Sequence, residues 1–263
     1  MIPDAVITSW GLTRPWPSRE QVEQDLLLSR VIVEIYNHPG LRDELLFRGG
    51  TCLHQVRLPA PLRYSEDLDF VRRTHSAIGP VLDALRDVAA TVGLTVSGTD
   101  IGVHPKIKFR GATTGSNRPL RIKVEVNTHE TSPARPVDEV PFAVETAWFQ
   151  GACVIRTFAP PELVATKLRA LYQRSKGRDV FDLWLALTHL GLDPDDIVEC
   201  FARYRPDGYT SALAIANLRA KLRSPGFRDD IALLATVPPL GYDVDGAAEL
   251  IIDELISRVA NQS

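Results

Sequence analysis

The sequence predicts an α+β protein, with a mixed β-sheet flanked by helices in its first half and a mainly α-helical second half. Three observations carry that reading. Residues 94–126 alternate apolar and polar side chains with a period of two, as half-buried strands do. Residues 160–259 instead place apolar side chains three and four apart, the helical spacing. Between them, residues 128–159 hold Pro133, Pro136 and Pro141 among acidic residues and read as a connection with one short strand at 153–155. The expected division is residues 1–157 for the mixed domain and 158–263 for the helical one. At 263 residues, 44% hydrophobic and 24% charged, the chain can bury a real core.

Each element has its own local signal. Residues 1–17, with Trp10, Pro15, Trp16 and Pro17, read as an irregular lead. Ser18 followed by Gln21 makes a capping box, so a helix should run to about residue 37, with Leu26, Leu27, Val31, Ile32, Val33 and Ile35 on its buried face. His38-Pro39-Gly40 stops it. An apolar segment at 44–47 leads into Gly49-Gly50, with residues 51–56 helix-like beyond, and Leu68, Phe70 and Val71 mark a strand. Residues 76–92 have helical spacing and end at Gly93. Strands are expected at 94–96, 101–103, 106–109 and 120–126, the last two joined around Gly115-Ser116-Asn117. Helices follow at 162–173 behind Pro160-Pro161, at 178–189 ending by Gly191, from Asp193-Pro194, at 210–222 and at 246–259.

Composition narrows the function. The net charge of −3 gives no global reason for nucleic-acid binding. Cys52, Cys153 and Cys200 form no C-x-x-C pair and have no histidine at ligand spacing, which argues against zinc and a disulfide framework. No run is long enough to span a bilayer and no signal peptide opens the chain, so a cytoplasmic protein is expected. Charge is nevertheless local. Lys106, Lys108, Arg110, Arg118, Arg121 and Lys123 crowd a stretch without one acidic residue, and Lys167, Arg169, Arg174, Lys176 and Arg178 crowd the helical half. Such clusters are either solvated faces or a groove that tracks phosphates.

Chemistry concentrates in residues 47–70. Asp67 and Asp69 are two apart on a strand, so both carboxylates leave one face and can share a metal. Gly49-Gly50, where an apolar run hands over to a helix, makes room for a phosphate. Either half alone is common in turns and caps; together they read as a nucleotide-plus-metal site. Glu125 falls on the polar face of its strand, either solvent-facing and paired with Lys123 or Arg121, or part of the site. Lys167 sits among Leu163, Val164, Leu168 and Leu171, so its ammonium either snorkels outward or points into a cleft. Arg178 and Asp182, four apart, suit an ordinary helical salt bridge.

Phe47 to Phe70 resembles the opening signature of nucleotidyltransferases, with a somewhat longer spacer. In order, Gly49-Gly50-Thr51, Arg63-x-Ser65-Glu66-Asp67-Leu68-Asp69-Phe70, Lys123-Val124-Glu125-Val126-Asn127, Lys167-Leu168 and Arg178-Asp179-x-x-Asp182-Leu183 resemble the AbiEii/MenT family of nucleotidyltransferase toxins over most of residues 45–185. The resemblance implies the toxin half of a toxin–antitoxin pair, adding nucleotides, chiefly pyrimidines, to tRNA 3′ ends and so blocking aminoacylation. It implies Asp67 as the essential metal carboxylate beside Asp69, Glu125 as a third acidic residue, and Lys167 and Asp182 as the remaining catalytic groups in a cleft completed by the helical domain. Gly49, Gly50, Thr51, Ser65 and Arg178 would serve the nucleotide, the Thr51 hydroxyl and glycine amides holding the β- and γ-phosphates, and Ser65 also matches a position open to silencing modification. The implied cofactor is Mg²⁺ or Mn²⁺, and the partners are an NTP, the tRNA acceptor end and a separately encoded antitoxin. Two other readings stay open: a nucleotidyltransferase acting on a small molecule or protein, and a catalytically silent metal-binding interaction protein.

Overall fold

A computed structural model of the chain describes residues 2–114, 116–235, 239 and 241–260. It comprises two compact units, Met1–Pro133 with Val137–Phe158, and Ala134–Pro136 with Ala159–Ser263. No described helix is long and apolar enough to cross a membrane.

The first unit begins with α1 (Asp4–Thr13) and α2 (Arg19–Asn37). Helix α1 replaces the expected irregular lead. It buries only Val6 and Ile7 and has no cap signal, so tertiary contact with α2 rather than periodicity sustains it. The capping box of α2 forms as expected: the Gln21 amide donates to Ser18 Oγ at 3.2 Å, and the Ser18 amide to Gln21 Oε1 at 3.1 Å. Next come β1 (Leu45–Arg48), α3 (Gly49–Cys52) running into a π-helical turn (Leu53–Arg57), β2 (Asp67–Arg72) and α4 (Gly79–Thr91). Strands β3 (Thr95–Asp100), β4 (Lys106–Ala112), β5 (Pro119–Asn127), β6 (Asp138–Glu145) and β7 (Gln150–Thr157) complete the unit.

These strands form one mixed sheet in the order β3-β4-β5-β2-β1-β7-β6. Strand β2 runs parallel to β5 and β1 parallel to β7; the other neighbours are antiparallel. Phe47 and Phe70 stack at 5.0 Å in the middle, with Leu68, Ile122 and Val124 buried around them.

Two stretches differ from expectation. Residues 101–103 are a turn, not a strand: the Asp100 carboxylate accepts the Gly102 amide at 3.0 Å, and Ile101 and Val103 are left exposed. The connection at 128–159 contains a complete hairpin, β6–β7. Strand β6 lies at the sheet edge, where Val140, Phe142 and Val144 alternate with the more exposed Glu139, Pro141, Ala143 and Glu145, and the edge tolerates Pro141, which has no amide to donate. In the turn expected around Gly115-Ser116-Asn117, Gly115 lies outside the described residues, and Asn117 has a φ of 50°.

The second unit comprises α5 (Pro160–Gln173), α6 (Arg178–Thr188), α7 (Pro194–Tyr204), α8 (Ser211–Leu222), α9 (Pro225–Arg228) and α10 (Val244–Glu254). The short α9 has no counterpart in the sequence reading. Helix α10 starts two residues before the expected 246, capped by Asp243, and 256–258 is a 3₁₀ turn. Gly177 is required before α6, because a Cβ there would run into the Phe227 carbonyl. Residues 134–136 join this unit through buried Glu162, which accepts the amides of Ala134 (2.6 Å) and Arg135 (3.0 Å) and the Tyr204 hydroxyl.

Candidate active site

Register, more than sequence proximity, assembles the site of the sheet unit. Across the parallel β2–β5 pair Asp67 lies beside Lys123 and Asp69 beside Glu125; across β1–β2, Arg48 lies beside Asp69. With a side-chain period of two, Asp67, Asp69, Lys123 and Glu125 share one face, while Leu68, Val124 and Val126 fill the core beneath. Lys123 Nζ stands 3.0 Å from Asp67 Oδ2 and 3.5 Å from Glu125 Oε2. Lys106 reaches the same Glu125 oxygen at 3.6 Å.

The two aspartates are not equivalent. Burial raises the Asp69 pKa, the neighbouring Asp67 charge adds to this, and Arg48 and Lys123 oppose it. Burial alone would lower the Lys123 pKa, but Asp67, Asp69 and Glu125 together hold it above its ordinary value. Burial and the Asp67 and Glu125 charges thus disfavour the ionised form of Asp69, with Arg48 and Lys123 opposing them.

Gly49 has a φ of 83° and its backbone packs on Asp69; a Cβ would collide with that carboxylate. A Cβ on Gly50 would lie 2.5 Å from the Arg63 guanidinium, itself 2% exposed. The diglycine is therefore a steric requirement of the site. Thr51 is different from expectation. Its hydroxyl is buried and bonds to the Asp67 carbonyl at 2.5 Å and to Ser65 Oγ at 2.9 Å. One hydroxyl has one proton, so Thr51 donates to the carbonyl and accepts from Ser65. It fixes the start of β2 instead of offering itself to a phosphate.

The donors suit a hard divalent ion: Mg²⁺ commonly takes one or two carboxylates and completes its shell with water and substrate phosphates. Asp67 and Asp69 meet that need. Among the described residues no group of three His, Cys, Asp or Glu is disposed to hold one ion. Glu125, expected as a metal ligand, lies on the same face, 3.5 Å from Lys123 and 3.6 Å from Lys106.

In the helical unit, Lys167 neither snorkels nor lies open. It is 4% exposed, with Nζ 2.8 Å from Asp182 Oδ2 and 3.5 Å from Asp179 Oδ1. Asp179 also accepts a bidentate pair from Arg174, both contacts at 2.8 Å. Two cations thus meet two fully buried carboxylates. Arg178 turns to Asp230: its amide donates at 3.0 Å and its Nε lies at 3.9 Å.

Lys123 and Arg48 are site residues that the sequence reading did not select. Lys123 was findable, because alternation puts it on the face of Glu125; Arg48 needed the β1–β2 register. Asp179 and Arg174 were in view, but their pairing depends on how α6 follows α5.

The sequence matches the model of the nucleotidyl transferase AbiEii toxin, type IV toxin–antitoxin system, over residues 30–244. Among curated proteins none matches. Three solved structures share the fold. MenT4, a nucleotidyltransferase toxin from Mycobacterium tuberculosis, has a TM-score of 0.63 at 17% identity, covering 99% of this chain and 91% of that one. JHP933 from Helicobacter pylori has 0.56 at 16%, covering 92% and 94%, and a putative nucleotidyltransferase from H. pylori has 0.58 at 18%, covering 92% and 97%. At such identities the structures speak for the fold alone; the family match covers most of the chain and supplies the rest. With its diglycine turn, its aspartate pair on β2 and that match in hand, the chain belongs to the AbiEii family of nucleotidyltransferase toxins, which work in type IV toxin–antitoxin systems.

Proposed function

We propose that the chain transfers an NMP group from an NTP, a pyrimidine nucleotide, to the 3′ hydroxyl of a tRNA acceptor end and so blocks aminoacylation. The observation that carries this is the Asp67–Asp69 pair, which shares one face of β2 and lies against the Gly49 backbone, where a Cβ would collide with the Asp69 carboxylate. In the reaction the 3′ hydroxyl gives up its proton to water, its oxygen bonds to the α-phosphorus, the α–β bridging bond breaks, and pyrophosphate leaves. Asp67 and Asp69 would hold Mg²⁺ or Mn²⁺, which when bound would supply Lewis acidity toward the α-phosphate. Gly49 and Gly50 let the backbone close on the Asp69 carboxylate and the Arg63 guanidinium, which sets the carboxylate pair in place. Lys123 pairs with Asp67 at 3.0 Å, and Glu125 at 3.5 Å holds Lys123 in place. Lys167 and Asp182 are proposed as further residues of the reaction, on the strength of the family motif they match.

The test is direct. The protein is incubated with each α-labelled NTP, Mg²⁺ and total RNA, and the products are resolved on a denaturing gel, with mass spectrometry of tRNA 3′ ends. Label in the tRNA band, one pyrimidine NTP preferred and lost in Asp67→Asn, is the expected result. Label on protein or small molecules would reassign the acceptor. Toxicity retained by Asp67→Ala would move the chain to a non-catalytic role.

A further inference from the structure

On the solvent face of the sheet unit an open pocket of about 400 Å³ begins at Glu66 and Asp67 and extends over Lys108, Arg110, Arg121 and Lys123. The antiparallel register sets like charge against like charge: Lys108 lies opposite Lys123 and Arg110 opposite Arg121. Directly opposed like charges destabilise a strand pair, so this arrangement costs the fold something unless an anion is brought in. Nearby cations have carboxylates to answer them: Lys106 has Glu125, Lys123 has Asp67 and Glu125, and Arg118 has Glu20 at 3.1 Å. Among the described residues, Lys108, Arg110 and Arg121 have no ion-pair partner. The helical cluster contrasts with this, since Lys167 and Arg174 are neutralised by Asp179 and Asp182.

We propose that this pocket, and not the helical cluster, holds the backbone phosphates of the RNA acceptor strand and leads its 3′ end to Asp67. The inference rests on the transferase reading of Asp67 and names the surface that delivers its acceptor. Successive cations on one strand stand about 6.8 Å apart, two residues at ~3.4 Å each, a repeat of the order that separates neighbouring phosphates in an RNA strand. Lysine and arginine on a flat sheet contact phosphates and read no bases, so binding is insensitive to RNA sequence and sensitive to salt.

The experiment uses the full chain carrying Lys108→Ser, Arg110→Ser and Arg121→Ser together, and a second variant keeping every charge, Lys108→Arg, Arg110→Lys and Arg121→Lys. Binding of a fluorescent single-stranded 3′-acceptor RNA is measured by anisotropy from 50 to 200 mM salt, and NTP binding by calorimetry. The serine variant should bind RNA at least about tenfold more weakly, with a log–log salt slope shallower by about 2, roughly 0.7 for each phosphate that is no longer neutralised. Its NTP affinity and melting temperature should not fall, and the charge-preserving variant should bind as wild type. Unchanged RNA affinity and slope would overturn the proposal. Lost NTP affinity with RNA binding intact would make the pocket the triphosphate site, and lost neutralisation by the antitoxin with RNA binding intact would make it an acidic-protein face. Wild-type RNA binding through these residues without NMP transfer would sink the transferase reading and leave the pocket standing.

Discussion

The sheet unit and the helical unit each carry a charged cluster, and the two are built on opposite plans. In the helical unit Lys167 and Arg174 meet Asp179 and Asp182, two cations against two carboxylates, and three of the four side chains are almost fully buried. In the sheet unit Asp67, Asp69, Lys123 and Glu125 share an accessible face, and Lys108, Arg110 and Arg121 beside them lack ion-pair partners among the described residues. A closed network satisfies its own charges and fixes a packing arrangement. An open one leaves charge unmatched for a ligand to complete. Clusters of the same residue types therefore have different consequences: loss of a charge should cost function with little loss of stability in the sheet unit, and should cost stability in the helical unit whatever else Lys167 and Asp182 do.

The largest effect falls on the open cluster. Asp69→Asn keeps the shape and removes the charge, so NMP transfer should drop by about 10³ to 10⁴-fold, roughly 4 to 5 kcal/mol of transition-state stabilisation. Thermal stability should stay level or rise, because the ionised carboxylate is disfavoured by burial and by Asp67. Kinetics and a melt on the same sample check both halves, and a variant that melts early while transferring normally would reverse the comparison.

Lys167→Ala makes the converse case. It leaves two buried carboxylates with Arg174 as their remaining identified cation, and breaking a buried pair in this way costs about 4 kcal/mol. A urea titration against wild type measures it. Transfer by the folded fraction then separates a catalytic role from a structural one: normal turnover once folded would confine Lys167 to the fold.

A third buried charge lies between these plans. Asp25, fully buried in the sheet unit, accepts from Gln55 at 2.6 Å and Trp10 at 2.8 Å, while its cation Arg14 stands back at 3.8 Å. Neutral donors compensate burial poorly, and its pKa is pushed up to about 6. Because the folded value lies above the unfolded one, the folded protein keeps a proton that the unfolded chain releases between about pH 4 and pH 6. Stability from this group is therefore lost as pH rises through that window, by up to about 3 kcal/mol. The difference in unfolding free energy between wild type and Asp25→Asn, followed from pH 4 to 7, isolates it. A flat difference would mean that Gln55 and Trp10 satisfy the charge as well as a cation does.

The fold and the open cluster were largely legible in the sequence, for reasons tied to particular residues. The period of two through Leu120, Ile122, Val124 and Val126 fixed a face and put Lys123 with Glu125, and Ser18 with Gln21 set a helix start to the residue. Helix α1 was missed because contacts rather than periodicity hold it, and most of the β6–β7 hairpin because Pro141 interrupts the alternating β6 and proline reads as a breaker away from a sheet edge. Partner choice was harder to read. That Arg178 turns to Asp230, fifty-two residues on, and Lys167 to Asp179 and Asp182 is decided by tertiary packing. Spacing alone pointed to Arg178 with Asp182.

Exposure, finally, should grade the two cations of the closed cluster. Arg174 makes two 2.8 Å contacts to Asp179, better geometry than the 3.5 Å contact from Lys167, yet its side chain is 48% exposed. Water can enter where the guanidinium was, and Lys167 remains beside the carboxylate. Arg174→Met, which keeps much of the stem, should therefore cost about 1 kcal/mol, the scale of a solvent-accessible ion pair. That is about a quarter of the expected Lys167→Ala loss, and chemical denaturation of both variants measures the ratio. Equal losses would show that contact geometry, not access to water, sets the strength of the cluster, and the contrast between open and closed charge would then need a different physical basis.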